Sequence, residues 1–140
     1  MPIAEDNGTA AARRLVVADD ALSMASLRTA IELAAEEHGL SDEATFALKV
    51  AATEACANAL RHGDGGDGVA VELVARDGGV EVEVVSPGEF RLADGADPER
   101  GRGLPLIVAL ADVTEFERAR AATRVRIRKR ARPPARAAFA

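Results

Sequence analysis

Residues 63–68, Gly-Asp-Gly-Gly-Asp-Gly, mark the place where the hydrophobic pattern of the chain changes its period. Before this segment, apolar residues recur at the three- and four-residue spacing of a helix, and after it they alternate with polar residues. Glycine is unfavourable in helix interiors, so no helix is expected to continue through four glycines in six residues. The segment therefore separates a helix from a sheet, and a chain with this switch must pack one against the other.

The segments after this loop, residues 69–74 and 80–85, are predicted to form a β-hairpin. They are joined by Arg-Asp-Gly-Gly, and Asp-Gly is typical of a two-residue hairpin turn. In the second strand valine alternates with glutamate, so one face of the sheet is expected to be apolar and the other solvated. Helices packed on the apolar face would give a two-layer α+β sandwich.

Residues 13–130, which include the loop and the hairpin, are predicted to form one domain, a length that can bury a core. Residues 1–12 are expected to be disordered, and residues 131–140 to form a flexible tail. Ser23 is the predicted N-cap of the first helix and Gly39 its C′ residue. The other predicted elements are a strand at 14–18, helices ending near 39, 63 and 111, and strands at 113–117 and 123–129.

The second helix, residues 41–63, carries a narrow polar line on a background of alanine and valine. Glu54, Asn58 and His62 are four residues apart and therefore lie on one helical face. Two interpretations remain open, a functional line of side chains or the water-facing side of a largely buried helix. The core-facing side is expected to comprise four apolar residues: Phe46, Val50, Ala57 and Leu60.

Residues 53–63, Thr-Glu-Ala-Cys-Ala-Asn-Ala-Leu-Arg-His-Gly, resemble the N box of the GHKL ATPases, in the form carried by bacterial anti-sigma-factor serine kinases. The resemblance implies a two-layer sandwich of the Bergerat type, with helices on one face of a mixed, mostly antiparallel sheet. It implies that Asn58 carries Mg²⁺ bound to the phosphates of ATP, and that Glu54 is the base facing the attacking hydroxyl. The resemblance also assigns His62 to nucleotide binding, although the helix dipole alone would favour a histidine at the C-terminal end of this helix.

A second motif, Gly101-Arg102-Gly103-Leu104, opens an apolar helix after a segment rich in Gly, Asp and Arg. Backbone N–H groups at a glycine-rich helix N-terminus can approach a phosphate closely, and the helix dipole favours its charge. The motif resembles the G2 box of the same family, which implies that these four residues bind the nucleotide and that residues 91–99 form a lid. Thr123, in the last predicted strand, corresponds to a threonine that lies near the adenine in members of that family.

The third motif departs from the family pattern. Members usually end the corresponding strand in Val-x-Asp-x-Gly-x-Gly, the G1 box, whose Asp receives the adenine amino group. In this register Ser86 replaces the Asp, Gly88 matches the first Gly, and Phe90 replaces the second. A neutral hydroxyl forms a weaker hydrogen bond than a carboxylate does. Ser86 and Gly88 are therefore expected to bind adenine without the charged acceptor that other family members use.

Charge is distributed unevenly along the chain. Residues 1–117 hold all 23 acidic residues and 9 of the 18 basic ones, a net charge of −14, whereas residues 118–140 hold only basic charge. A basic segment raises the hypothesis of nucleic-acid binding. However, arginine alternates with valine and isoleucine over residues 124–128, as expected on the solvent face of a half-buried strand. Without Trp or Tyr, stacking on single-stranded nucleic acid is disfavoured.

Composition also limits the setting in which the protein works. Cys56 is the only cysteine, so no disulfide within the chain can form and a reducing compartment is the natural interpretation. The first residues lack the basic and apolar regions of a signal peptide, and no apolar run is long enough for a membrane span. The expected location is the cytoplasm, without contact with membranes.

Two functions of different classes remain. The first, implied by the resemblance, is an ATP-dependent serine kinase that is also an anti-sigma factor, binding a sigma factor and phosphorylating a STAS-domain anti-anti-sigma factor. The second is a non-catalytic binding module of the same fold, with weak or lost nucleotide binding. Glu54 and Asn58 favour the kinase, and Ser86 and Phe90 favour the module. Relatives commonly dimerise, which leaves a homodimer open, and direct binding to DNA is the least favoured alternative.

Overall fold

The computed structural model describes residues 9–62, 68–76, 78–87, 103–119 and 122–131. Each predicted helix and strand is present, with boundaries shifted by a few residues. The first strand begins at Thr9, so part of the segment expected to be disordered is extended and paired. The elements are β1 Thr9–Val17, α1 Ala21–Glu37, α2 Asp42–His62, β2 Val69–Arg76, β3 Gly79–Pro87, α3 Gly103–Leu110, β4 Val113–Ala119 and β5 Ala122–Arg130.

The five strands form one sheet in the order β1-β2-β3-β5-β4, and each neighbouring pair is antiparallel. The predicted hairpin is confirmed, because Arg76 pairs with Gly79 across a two-residue turn. Its alternation is confirmed as well, since Val80, Val82 and Val84 are fully buried while Glu81 and Glu83 are not. The helices cover the valine face, which gives the expected two-layer α+β architecture.

The capping of the helices follows sequence signals with one correction. Asp20, not Ser23, is the N-cap of α1, and its Oδ1 accepts a hydrogen bond from the Ser23 N–H at 2.7 Å. Gly39 adopts a left-handed φ of 79°, and the Leu40 N–H donates to the Ala35 carbonyl at 3.0 Å. This is the bond pattern of a Schellman ending, so the predicted C′ glycine is confirmed. Ser41 caps α2 through its Oγ.

The core-facing side of α2 is not the one predicted. Phe46 is 64% exposed, and Val50, Ala57 and Leu60 are only half-buried. The side chains that α2 buries are mostly those of alanine, whose small size lets the helix approach the sheet and α3 closely. They are Ala44, Ala47, Leu48, Ala51, Ala52, Ala55, Cys56 and Ala59. No helix in the described part of the chain is long and apolar enough to cross a membrane.

The uncovered face of the sheet carries ion pairs between strands. The carboxylate of Glu83 lies 2.8 Å from Arg126 Nε and 3.6 Å from Arg124 Nη1. Arg126 also contacts Glu115 at 3.5 Å. The alternating arginines of β5 therefore lie on the solvent face, as predicted. Two of them are paired with carboxylates of neighbouring strands, which leaves less positive charge available for nucleic acid.

Gly79 is a position where the sheet has no room for a side chain. A Cβ there would lie 2.4 Å from the Lys129 carbonyl oxygen on β5. We expect Gly79→Ala to lower the free energy of unfolding by about 1–3 kcal/mol, since β3 and β5 must separate locally. Denaturant titration measures the loss. Glu81→Ala, a half-exposed position on the same strand, is the control and should stay within about 0.5 kcal/mol of the parent. Equal stabilities of the two variants would contradict this close contact.

Candidate functional site

Helix α2 extends from Asp42 to His62 and thus carries the whole predicted polar line. Glu54 and Asn58 are half-buried on the same helical face. They belong neither to the fully exposed side of the helix nor to its core-facing side. The side chain of His62, at the last helical position, lies outside the described residues. The helix therefore presents a carboxylate and a carboxamide together, at the edge of the buried surface.

The amide of Asn58 already has a hydrogen-bond partner on its own helix. Its Oδ1 accepts from Arg61 Nη2 at 2.8 Å. A carbonyl oxygen has two lone pairs, so one acceptor site of Oδ1 is left for a second donor or a cation. The sequence interpretation did not include Arg61. The i, i+3 spacing of Asn58 and Arg61, which places neighbouring side chains within reach on a helix, is the signal that would have indicated it.

Glu54 stands apart from the ion pairs of the fold. Within the described ranges, its carboxylate has no hydrogen-bond or ion-pair partner. A half-buried carboxylate that is not held by a neighbouring cation keeps its lone pairs available for a proton or a ligand. The carboxylate of Glu54 can therefore accept a hydrogen bond from a ligand without breaking an existing contact of the described residues.

Ser86 and Thr123 meet at the ends of two neighbouring strands. They are register partners of β3 and β5, and both lie on the sheet face that the helices cover. Their exposed fractions are 0% and 1%, so they are the buried polar side chains among the described residues. The sequence assigned both to the nucleotide base from separate motifs, and the fold brings them side by side.

Two buried hydroxyls, one on α2 and one on β3, have unused hydrogen-bonding capacity. Ser86 Oγ and Thr53 Oγ1 have no partner among the described residues. A buried hydroxyl left without a partner costs roughly 1–3 kcal/mol. Thr53 precedes Glu54 on α2, so one of these groups comes from the helix and the other from the sheet. Unsatisfied polar atoms of this kind are expected where a bound ligand supplies the missing partners.

The start of α3 is the third element to which the sequence assigned contacts with the nucleotide. α3 begins at Gly103 and packs against α2, so its free N–H groups belong to the same layer as the polar line. Leu104 lies in its first turn. Gly101, Arg102, Gly88 and Phe90, together with the predicted lid at residues 91–99, lie outside the described residues.

Cys56 lies within the same stretch of α2 but has a structural environment. Its side chain is fully buried, and this burial raises the pKa of the thiol to about 12. A thiol that stays protonated at neutral pH is a poor nucleophile. Cys56 therefore acts as a small apolar residue that packs in the core.

Comparisons with known proteins agree with the fold. A solved structure of the RsbU and RsbW domains of Rv1364c from Mycobacterium tuberculosis has a similar fold, with a TM-score of 0.67. The sequence identity is 18%, and the match covers 89% of this chain and 34% of the other, so this chain spans about a third of that protein. No curated protein sequence matches. Residues 16–129 match the family described as the histidine kinase-like ATPase domain. Because that match spans most of the chain, the protein belongs to the histidine kinase-like ATPase domain family.

Proposed function

We propose that this protein is an ATP-binding serine kinase and anti-sigma factor, with residues 13–130 as its ATPase domain. The observation that carries the proposal is that Glu54 and Asn58 lie half-buried on one face of α2, while the buried hydroxyls of Thr53 on the same helix and Ser86 on β3 lack partners among the described residues. Calorimetric titration of the purified protein with ATP, in the presence and absence of Mg²⁺, tests it directly. Saturable binding that depends on Mg²⁺ is expected, and the absence of binding would contradict it.

The residues present fit a nucleotide with its metal ion. Asn58 Oδ1 is an oxygen ligand of the kind that Mg²⁺ prefers. The unsatisfied hydroxyls of Ser86 and Thr53 can accept a hydrogen bond from a purine or donate one to it. We assign Asn58 to the metal and Ser86, Gly88 and Thr123 to the base. Bound Mg²⁺ would neutralise phosphate charge. The remaining contacts to the nucleotide are assigned to His62 and to the G2 residues Gly101, Arg102, Gly103 and Leu104.

The chain itself would contribute orientation and proton transfer. In the proposed reaction, a serine hydroxyl of the partner attacks the γ-phosphorus, and the bond between that phosphorus and the leaving oxygen of ADP breaks. Glu54 would orient the hydroxyl and accept its proton. The N-terminus of α3 would hold phosphate oxygens through backbone N–H groups.

The proposed partners follow from the resemblance to anti-sigma-factor serine kinases. One is a sigma factor, which the protein would sequester, and the other is a STAS-domain anti-anti-sigma factor, which it would phosphorylate. We place the protein in the cytoplasm, where these partners, ATP and reduced thiols such as that of Cys56 are found. Direct contact with nucleic acid or membrane is not part of the proposal, and a homodimer remains an alternative to a monomer.

A non-catalytic binding module is the second candidate, and a specific observation favours it. The residue facing the helix layer at the end of β3 is Ser86, a neutral side chain where a carboxylate would recognise adenine more strongly. The two candidates are separated by the titration above. Sigma-factor binding without measurable ATP binding would favour the module.

Ser86 also supplies a test of how the base is recognised. We expect Ser86→Asp to tighten ATP binding by on the order of 1 kcal/mol, because a charged acceptor replaces a neutral one. The preference for ATP over GTP should increase as well, since a carboxylate accepts from the adenine amino group but cannot donate to a carbonyl. Calorimetry with both nucleotides measures the two effects.

The same variant should be less stable without nucleotide, since it places a carboxylate at a fully buried position. Thermal unfolding with and without ATP therefore serves as the control, and ATP should raise the melting temperature of Ser86→Asp more than that of the parent. Ser86→Ala is the matched variant and should bind ATP no better than the parent. Unchanged affinity and unchanged selectivity in Ser86→Asp would mean that the base binds elsewhere.

A further inference from the structure

Phe46 is an exposed aromatic side chain on a helix whose neighbouring faces are packed. Of the two phenylalanines in the described ranges, Phe116 is half-buried and packs against the core, whereas Phe46 is 64% exposed. Two grooves, of about 600 and 610 Å³, lie on either side of it. Phe46 lines both grooves, so a segment that occupied them would cover its ring.

The two grooves differ in chemistry. The first combines small apolar side chains, such as Ala44 and Ala47, with two carboxylates and two cations. The charged residues are Glu43, Asp112, Lys129 and Arg130. The second is bordered by carboxylates of three residues, Glu32, Glu36 and Asp42, and by one cation, Lys49, which pairs with Glu32. A segment that crosses from the first groove to the second therefore meets a mixed surface without net charge, then an aromatic ring, then net negative charge.

The chain itself holds a segment with the complementary chemistry. Ala131, the last described residue, lines the first groove and is held there by its N–H, which donates to the Gly78 carbonyl at 3.0 Å. The next nine residues, Arg-Pro-Pro-Ala-Arg-Ala-Ala-Phe-Ala, carry two arginines and a phenylalanine and no acid. Nine residues can span up to roughly 30 Å. The segment thus starts on the surface that it would cover, and reach does not limit it.

We propose that residues 132–140 dock across the face formed by Phe46 and its two grooves. Phe139 covers the ring of Phe46, and an aromatic pair of this kind adds attraction beyond its buried area. Arg136 lies near the carboxylates that border the second groove, an arrangement that salt should weaken. This assignment is independent of the proposed kinase activity, since neither Glu54 nor Asn58 takes part in it.

A single tryptophan gives a direct test, because the chain has no Trp or Tyr. In the full chain carrying Phe139→Trp, docking should shift the emission to shorter wavelength than in the denatured chain and reduce quenching by acrylamide severalfold. Adding Phe46→Ala should return both signals toward those of a solvated tryptophan. Adding Glu36→Lys and Asp42→Lys together should do the same in part, and high salt should reproduce that partial effect in the chain that carries Phe139→Trp alone.

Leu22→Ala is the matched control, since Leu22 is 79% exposed on α1 and lines neither groove. Added to the Phe139→Trp chain, it should leave the emission unchanged. Circular dichroism checks that each variant is folded. Emission like that of the denatured chain, or emission insensitive to Phe46→Ala, would overturn the proposal. A shift that disappears on dilution would also overturn it, since a segment of the same chain docks independently of concentration.

Discussion

Glu54→Gln is expected to lower the rate of phosphate transfer to a STAS-domain partner by about 10²–10⁴-fold, the usual contribution of a general base. Affinity for ATP and for the sigma factor should stay close to that of the parent, because the carboxamide keeps the shape of the side chain and removes its basicity. The structure supports this separation, since within the described ranges the carboxylate has no partner whose loss would disturb the fold. Transfer of radiolabelled phosphate from ATP measures the rate.

Glu37→Gln is the matched control for this experiment. Glu37 is an exposed glutamate at the end of α1, and its replacement should leave the transfer rate unchanged. Equal rates for Glu54→Gln and the parent would remove Glu54 from the mechanism and favour the water-facing interpretation of the polar line. A parent protein that transfers no phosphate to any such partner would favour the non-catalytic module.

Asn58→Ala is expected to abolish the Mg²⁺-dependent part of ATP binding while leaving the fold intact. The variant removes the oxygen that we assign to the metal, and it removes the acceptor of Arg61 at the same time. Because Asn58 is half-buried and outside the packed core, the loss of stability should be small, within the usual range for a partly exposed side chain. Calorimetry with and without Mg²⁺ measures the first effect, and denaturant titration the second.

Two companion variants make the result specific to the metal. Asn58→Asp keeps an oxygen donor and should retain binding that depends on Mg²⁺. Arg61→Ala removes the neighbouring donor and leaves the Asn58 oxygen in place, so Mg²⁺ dependence should persist. If Asn58→Ala titrates like the parent, the assignment of this residue to the metal is wrong.

Much of the fold could be predicted from local sequence signals. The glycine-rich loop, the Asp-Gly turn and the alternation in β3 each act over a few residues, and the structure confirms the helix, the hairpin and the buried valine face. The Gly39 ending of α1 is confirmed for the same reason, because a left-handed residue after a helix requires little more than a glycine there. The prediction of Ser23 as the N-cap of α1 was wrong, because Asp20 occupies that position. Aspartate and serine cap helices about equally well, so residue type alone could not decide between them.

The site was predicted only in part. Helical spacing alone places Glu54 and Asn58 on one face, and the extent of α2 agrees. The contact of Arg61 with Asn58 was not predicted, although the i, i+3 spacing of the two residues allows it. The unsatisfied hydroxyl of Thr53 was not predicted because its surroundings, not its spacing, distinguish it from ordinary helix residues. The roles of Glu54, Asn58 and His62, like those of the G1 and G2 residues, stay predictions.

The sequence by itself determined which segments are helices and strands, because backbone preference and hydrophobic period act between near neighbours in the chain. Only the tertiary structure decided which side of α2 is buried. That helix is apolar on more than one side, so its pattern could not show that small alanines would face the sheet and α3 while Phe46 remained exposed. Tertiary structure also decided that Ser86 and Thr123 are neighbours, because strand pairing joins β3 to β5 rather than to β4, the next strand in the chain. Burial and pairing depend on what packs against a segment, and that information is spread over the whole chain.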